Sequence, residues 1–372
     1  MFRHAIPIGR VLGIPIELDY SWFLIAALFT WLLAVSYFPI EFKGGTTAEY
    51  WLMGALTAVL FFVSIVVHEL AHSLVALRYK VPVRRITLFI FGGVSQIARE
   101  PPSAAAEFLI AIVGPLTSFA LAALFFLSEP LLVSIKPALA MAKYLALING
   151  VLGLFNLIPG FPLDGGRVFR AIVWGVNKNF HRATLIAAST GRFFGFLFIF
   201  LGVWMALRGN VFNGIWIAFI GWFLESAAGA QVQQQLVHDL LGGHKVSEAM
   251  GDACPHVAED TPIQRLIDQE VLAHGRRCFL VDRGDRAVGL LTLHNMKEVP
   301  RSSWTTTTAA QAMTPLEKLS RIDPNAELWS AMEKMGGDGI NQMPVMKGNN
   351  LVGMISRGDV VKYLQTLHQV ST

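Results

Sequence analysis

Two histidines and a glutamate follow a long uncharged segment, and their spacing suits metal chemistry. Residues 68–72 read H-E-L-A-H, and residues 50–67 before them carry no charged side chain. Because positions i and i+4 share one face of a helix, His68 and His72 can hold one metal ion. Glu69 then lies close enough to act on a water bound to that ion. Ionisable side chains are costly in hydrocarbon, so these three indicate a functional site inside a membrane-spanning helix.

A second polar segment, residues 156–166, offers the third protein ligand that a catalytic zinc ion commonly has besides water. It reads N-L-I-P-G-F-P-L-D-G-G, and its prolines must interrupt a helix. Irregular backbone at membrane depth is tolerated where it is buried in protein or lines a water-filled cavity. Asp164 is the best candidate ligand, although L-D-G-G is also typical of a plain turn. Asn156 either hydrogen-bonds between helices or donates to a substrate carbonyl.

The composition places much of the chain in lipid. The 372 residues are 53% hydrophobic and 15% charged, whereas ordinary soluble proteins are about 25% charged. The net charge of +4 is not gathered into a dense basic stripe, so direct nucleic-acid binding is not expected. Six membrane spans are predicted, at residues 20–38, 50–77, 108–127, 137–158, 185–207 and 211–224, the last of them extended towards residue 228.

The charges between the predicted spans set their orientation. Basic residues concentrate in the loops after the second and fourth spans, which predicts that the N- and C-termini are both cytoplasmic. His72 precedes Arg78 by six residues, about 9 Å along a helix, and Asp164 precedes Arg167 by three residues. The three candidate ligands are therefore expected at similar depths, near the cytoplasmic face of the membrane.

The chain changes character after about residue 237, where charges, turns and alternating segments replace long apolar runs. Residues 278–295 and 342–359 are similar to one another at an offset of about 64 residues, which predicts two β-β-α units. The expected domains are a membrane domain at 1–237 and two globular repeats at 238–305 and 306–372. Cys254 and Cys278 lack C-x-x-C spacing, so a disulfide is not expected.

Together, the segments H-E-L-A-H and N-L-I-P-G-F-P-L-D-G-G resemble the site-2 protease family of intramembrane zinc metalloproteases. Smaller similarities lie at residues 9–22 and 114–115, and the resemblance covers roughly residues 1–230. It implies that His68, His72 and Asp164 bind one Zn²⁺, that Glu69 is the general base, and that Asn156 acts near the substrate. A single-pass membrane protein would be the substrate, cleaved within its transmembrane segment in the lipid bilayer. The microbial branch of the family implies the inner or plasma membrane of a prokaryote.

Residues 240–372 resemble a pair of cystathionine-β-synthase (CBS) domains. Ser356 and Asp359 match the pattern G-x-[IV]-[ST]-x-x-D in the second repeat; in the first, Thr292 matches but Asn295 stands where the acid is expected. The resemblance implies an ATP, ADP or AMP site involving Thr292, Ser356 and Asp359 that regulates the membrane site, and a homodimer formed through the pair. A purely dimerising or structural module is the alternative.

Residues 83–97 are β-branched and aromatic, with Gly92 and Gly93 as the predicted turn of a hairpin. A transmembrane helix hides its own peptide carbonyls, so a substrate must unwind before cleavage. The family resemblance favours substrate contact at Phe91, Gly92 and Gly93, where the unwound substrate would add a strand to the hairpin. The alternative is a hairpin that merely seals the bundle.

The expected fold is thus a multi-pass α-helical membrane protein with a short membrane-associated β-hairpin and a cytosolic α/β CBS pair. A competing function is a CBS-gated membrane transporter or channel, which should show repeats among its spans and polar residues along several of them. The spans show no such repeat, and their polar residues concentrate at 68–72 and 156–164. A zinc-binding sensor or scaffold is a further alternative, but it would not need Glu69.

Overall fold

A computed structural model of the chain describes residues 5–90, 92–97, 100–251, 254–284, 286–348 and 350–371. It contains two compact units, Met1–Gln235 and Leu236–Thr372. The first is largely helical, and the second combines short helices with two β-sheets.

Long apolar helices dominate the first unit. They and their short neighbours are α1 (Tyr20–Leu32), α2 (Phe38–Glu41), α3 (Thr47–Arg78), α4 (Ala104–Ser128), α5 (Lys136–Asn156), α6 (Asp164–Asn177), α7 (Phe180–Leu207) and α8 (Val211–Leu241). Within the described residues, six helical stretches are long and apolar enough to cross a membrane, and a π-helical turn joins α1 to α2 within the first of them. The prediction of a six-span membrane protein is confirmed.

Short polar side chains fix where the spanning helices begin. Asp19 accepts a hydrogen bond from the amide of Ser21 at the start of α1. Thr46 and Glu49 form a capping box before α3, each side chain bonding to the backbone of the other. Ser103 caps α4 by accepting a single hydrogen bond from the amide of Ala106 at 3.2 Å. Helices α3 and α4 begin a few residues before their apolar runs, because each cap supplies hydrogen bonds that the first turn lacks.

Helices α7 and α8 meet along a line of glycines. A Cβ on Gly221 would lie 2.6 Å from the carbonyl oxygen of Gly195, and a Cβ on Gly202 would lie 2.8 Å from the Cα of Ala218. Arg192 of α7 also pairs with Glu225 of α8 at 3.1 Å. Small residues allow such close approach of backbones, as is common between membrane helices.

A four-stranded sheet accompanies the helices, with strands in the order β1-β2-β3-β4. These strands are β1 (Ile6–Val11), β2 (Ile14–Leu18), β3 (Val83–Phe89) and β4 (Gly92–Ile97). Strands β2 and β3 are parallel, and the other neighbours are antiparallel. The sequence predicted only the β3–β4 hairpin; β1 and β2 were missed because Pro7, Gly9, Gly13 and Pro15 suggest turns.

The position of the hairpin turn was predicted wrongly. Gly92 and Gly93 are the first two residues of β4, where they pair with Phe89 and Leu88, so the turn precedes them. Glycine is typical of turns, whereas Gly93 here permits close packing of β4 on α3. Phe91 lies outside the described residues.

The second unit contains the predicted repeat. Its strands are β5 (His256–Ala258), β6 (Cys278–Arg283), β7 (Arg286–Thr292), β8 (Thr314–Pro315), β9 (Gln342–Lys347) and β10 (Asn350–Ser356). Its helices are α9 (Val246–Ala249), α10 (Ile263–Leu266), α11 (Leu272–His274), α12 (Leu293–Glu298), α13 (Ala309–Ala312), α14 (Leu328–Gly337) and α15 (Arg357–Ser371). In one repeat the hairpin β6–β7 precedes α12, and in the other the hairpin β9–β10 precedes α15. Cys278 pairs with Thr292 in the first hairpin, as Gln342 pairs with Ser356 in the second.

The expectation that the cysteines stay unpaired is wrong. Cys254 and Cys278 form a disulfide, with their Cα atoms 5.6 Å apart. Strand β5 lies parallel to β6, and the amide of Leu280 donates to the carbonyl oxygen of Pro255 at 2.9 Å. The strand pairing therefore brings together two cysteines whose spacing in the sequence gives no sign of contact.

Candidate metal centre

Three side chains from two separate helices converge in the first unit. Oδ2 of Asp164 lies 3.0 Å from Nε2 of His68 and 3.0 Å from Nε2 of His72, and the two nitrogens are 3.1 Å apart. Ligands held at the 2.0–2.1 Å bond lengths of tetrahedral zinc would be separated by about 3.3 Å. The donor set and its spacing therefore fit a zinc ion with three protein ligands.

Helix α4 fixes the orientation of both imidazoles through contacts to their Nδ1 atoms. Nδ1 of His72 donates to the carbonyl oxygen of Ile110 at 2.6 Å, and Nδ1 of His68 lies 2.8 Å from Oγ of Ser118. When Nδ1 carries the proton, the lone pair is on Nε2, the atom that faces Asp164. Both histidines are 3% exposed, so the tautomers are set by the protein and not by bulk water.

Gly114 of α4 lies directly against the two rings. A Cβ on this residue would lie 2.7 Å from Nε2 of His68 and closer still to Nε2 of His72. No side chain fits without displacing the ligand atoms, so glycine is a steric requirement of the centre.

Asp164 is held by an unusually close junction between a loop and a helix. It is the first residue of α6, after the loop in which Phe161–Pro162 is a cis peptide. A Cβ on Gly166 would lie 2.6 Å from the carbonyl oxygen of Gly160. The sequence L-D-G-G is therefore not a plain turn, because its glycines let the first turn of α6 pack on the loop before it.

Glu69 lies on the helix that carries both histidines, whereas Asn156 lies on α5, which carries none of the three candidate ligands. Glu69 follows His68 on α3, and its Oε2 accepts a hydrogen bond of 2.7 Å from Oγ of Ser95 on β4. Asn156 is the last residue of α5, at the start of the loop that leads to Asp164. Gly93 lies beside Glu69, since a Cβ there would be 2.6 Å from Cγ of the glutamate.

Comparison with known proteins agrees with this geometry. The model of Peptidase family M50 matches residues 56–134 and 132–200, and the model of the CBS domain matches residues 310–366. Rip3 of Mycobacterium tuberculosis, whose name describes a zinc metalloprotease, is 36% identical over 368 residues, covering 97% of this chain and 93% of Rip3. The chain belongs to the site-2 protease family of zinc metalloproteases.

Two further relatives named as zinc metalloproteases match nearly the whole chain, and a solved site-2 protease matches part of it. The Synechocystis protein sll0528, also named for a zinc metalloprotease, is 32% identical and covers 98% of this chain and 96% of its own length. Zinc metalloprotease MJ0392 of Methanocaldococcus jannaschii is 27% identical and covers 98% of this chain and 97% of its own length. A solved site-2 protease from Methanocaldococcus jannaschii is 29% identical, covers 62% of this chain and 95% of its own, and has a TM-score of 0.42. The predicted family and enzyme class are confirmed by the family model and the curated relatives.

A buried ion pair ties the helix of Asp164 to the helix behind the histidines. Nε of Arg170 on α6 donates to Oε1 of Glu107 on α4 at 2.7 Å, and its second terminal nitrogen bonds to the same oxygen. The Arg170 guanidinium also lies over the rings of Phe161 and Phe180, at 4.9 and 4.6 Å from their centroids. Glu107 is fully buried, so this pair fixes α6 relative to α4 in a medium where an unpaired charge is costly.

The residues predicted to bind nucleotide lie in the second unit and have equivalent surroundings. Ser356 donates from its amide and its hydroxyl to Oδ2 of Asp359, at 2.8 and 2.6 Å. Thr292 donates in the same way to Oδ1 of Asn295, at 3.0 and 2.6 Å. Each pair forms the N-terminal cap of the helix that follows its hairpin. Asn295 therefore caps α12 as Asp359 caps α15.

Several residues of the membrane site are not among the site residues that the sequence predicts. Ser118 and Ser95 are small polar residues with no distinguishing pattern. Glu107 and Arg170 carry a usable signal, since charges beside apolar spans indicate function, but the third span was predicted to begin one residue after Glu107. Gly114 was noted only as part of a family similarity.

Replacement of Gly114 by alanine is expected to weaken zinc binding by at least about 100-fold, because changes behind metal ligands already cost 10- to 100-fold. Zinc per chain is measured by inductively coupled plasma mass spectrometry after dialysis. Gly150→Ala is the control, since its Cβ would meet nothing nearer than 3.9 Å. Equal zinc content in the two variants would contradict the steric requirement.

Arg170→Met is expected to destabilise the first unit by about 3–5 kcal/mol, because it leaves the Glu107 carboxylate buried and unpaired. The double variant Glu107→Leu with Arg170→Met should recover most of this loss. Thermal unfolding in detergent measures both. If the loss in the double variant equals the sum of the losses from Glu107→Leu alone and Arg170→Met alone, the two side chains do not act as a pair.

Proposed function

We propose that this chain is an intramembrane zinc endopeptidase that cleaves a transmembrane segment of a single-pass membrane protein. The convergence of His68, His72 and Asp164 among helices long enough to span a membrane carries this proposal. The regulated release of a membrane-bound protein would follow from such a cut, because the product is freed from its anchor.

The two imidazoles and the carboxylate are the proposed ligands of one zinc ion. When bound, zinc supplies Lewis acidity and lowers the pKa of a coordinated water towards neutrality. Ser118 and Ile110 hold the Nδ1 atoms, so the imidazole Nε2 atoms would be free to hold the ion. Arg170 keeps α6, and therefore Asp164, in place.

Glu69 is the proposed general base. Its carboxylate takes a proton from the attacking water and later delivers that proton to the amine that leaves. Asn156 is the proposed donor to the substrate carbonyl oxygen. Two carboxylates thus have separate tasks: Asp164 holds the ion, and Glu69 moves the proton.

The substrate is proposed to bind as an added strand at β4. This strand ends the sheet, and no further strand pairs with it among the residues that the structure describes. The space beside Gly92 is open, since a Cβ there would meet nothing within 4 Å. A substrate in extended form exposes the carbonyls that a helix conceals. Phe91 is proposed as a further contact, although it lies outside the described residues.

The enzyme is proposed to lie in the plasma membrane of a prokaryote with both termini in the cytoplasm. Basic residues follow α3 and open α6, so the positive-inside rule supports this orientation. The bacterial and archaeal origins of its relatives support the host. The proposed domains are residues 1–237, 238–305 and 306–372.

The CBS pair is proposed to bind one adenine nucleotide, ATP, ADP or AMP, and to mediate a homodimer. Asp359 would receive the ribose hydroxyls, with Ser356 and Thr292 near phosphate. The neutral Asn295 in the first repeat supports one site of this kind and not two equivalent ones. Occupancy of that site would regulate access to the membrane centre.

Glu69→Gln is expected to lower the cleavage rate by about 10²- to 10⁴-fold, the usual contribution of a general base, while zinc stays bound. Asp164→Asn should lose zinc as well as activity. Quantitative mass spectrometry of membranes from cells expressing each form identifies single-pass proteins that accumulate uncleaved. Glu129→Gln, a carboxylate on the turn after α4, is the control. Undiminished cleavage by Glu69→Gln would refute the proposed mechanism.

Asp359→Asn is expected to weaken nucleotide binding by about tenfold or more, since it removes a charged hydrogen-bond acceptor. Asparagine keeps the helix cap, as Asn295 shows in the first repeat. Isothermal titration of the full chain in detergent with ATP, ADP and AMP measures the effect, with the exposed Asp260→Ala as control. The absence of binding heat for wild type at millimolar nucleotide would defeat the proposal.

A further inference from the structure

Ser95 makes a direct hydrogen bond to the side chain of Glu69. Its hydroxyl lies 2.7 Å from Oε2 of Glu69, against 3.3 Å from the backbone oxygen of the same residue and 3.2 Å from Oγ of Ser73. Oγ of Ser73 donates to the Glu69 backbone oxygen at 2.8 Å. The Ser95 proton therefore goes to the carboxylate, the nearest acceptor and the one that bears charge.

This hydrogen bond joins the base to the sheet. Gly93 and Ser95 are two residues apart on β4, so both face α3. Gly93 packs so closely on Glu69 that a Cβ would lie 2.6 Å from Cγ of the glutamate. Gly93 thus confines the aliphatic part of the Glu69 side chain, and Ser95 fixes the rotation of its carboxylate.

We propose that Ser95 is a positioning residue for catalysis: its hydroxyl engages Oε2 of Glu69 and so leaves Oε1 to take the proton from water. This inference rests on the proposed function, in which Glu69 is the base. It assigns β4 a second task beside substrate binding. The strand whose outer edge receives the substrate also aligns the base, so a shift of β4 on substrate pairing would be passed to the carboxylate.

A purely structural role for the Ser95 hydroxyl is less consistent with its surroundings. Strand β4 is held by its pairing with β3, in which Ser95 lies opposite Ile86. Nε of Arg85 on β3 also donates to Oε1 of Gln96 on β4 at 2.9 Å. These contacts do not involve the Ser95 hydroxyl, so its removal should leave the strand in place while freeing the carboxylate to rotate.

The test compares Ser95→Ala, Ser95→Thr and wild type on one single-pass substrate that wild type cleaves and Glu69→Gln does not. Removing a hydrogen bond to a charged group is expected to lower kcat by about 10- to 100-fold, with KM within about threefold and zinc content unchanged. Threonine keeps a hydroxyl and suits a strand, so Ser95→Thr should recover kcat to within about fivefold of wild type. Ser64→Ala is the matched control and should have little effect: among the described residues, the hydroxyl of this buried serine bonds to its own helix, at the Leu60 carbonyl.

Three results would overturn the inference. The first is wild-type kcat in Ser95→Ala, and the second is a rise in KM alone, which would make Ser95 a substrate contact. The third is a loss of kcat that threonine fails to restore, which would count against the hydroxyl. If Glu69→Gln itself cleaved the substrate, the proposed function would fail before this comparison began, so the two failures are distinguishable.

Discussion

Buried imidazoles need partners on both ring nitrogens, and this requirement organises the membrane unit. With little water available, Nδ1 of each histidine bonds within the protein, to Ile110 and Ser118 of α4. Helix α4 must therefore lie against α3, and only a glycine at position 114 lets it come close enough. The same helix carries Glu107, whose ion pair fixes the helix of Asp164. Helix α4 contributes none of the proposed ligands, yet it sets the geometry of all three.

The parts of the fold that depend on hydrophobicity could be predicted from the sequence. Six apolar runs predicted the six spanning helices, and a 64-residue offset predicted two similar hairpins in the second unit. What failed depended on contacts between distant segments. The pairing of β2 with β3 joins residues about 70 positions apart, and no local pattern reveals it. The disulfide follows from another such pairing, that of β5 with β6.

The residues of the candidate site also fall into those that a local pattern predicts and those that depend on contacts between distant segments. His68, His72 and Glu69 were found because they share one turn of one helix, and Asp164 because prolines mark its loop. The residues that orient them are ordinary by type: a serine, a backbone carbonyl, a glycine. Their roles arise from where α4 and β4 lie in space. The sequence therefore predicts the side chains proposed to bind zinc and move protons, but not the residues that orient those side chains.

The line of glycines between α7 and α8 also bears on how a substrate reaches the centre. Where two helices meet backbone to backbone, few side chains lie between them whose rearrangement could open a passage. The ion pair between Arg192 and Glu225 adds a lateral tie. We therefore expect α7 and α8 to move together and an incoming segment to enter elsewhere on the circumference of the bundle.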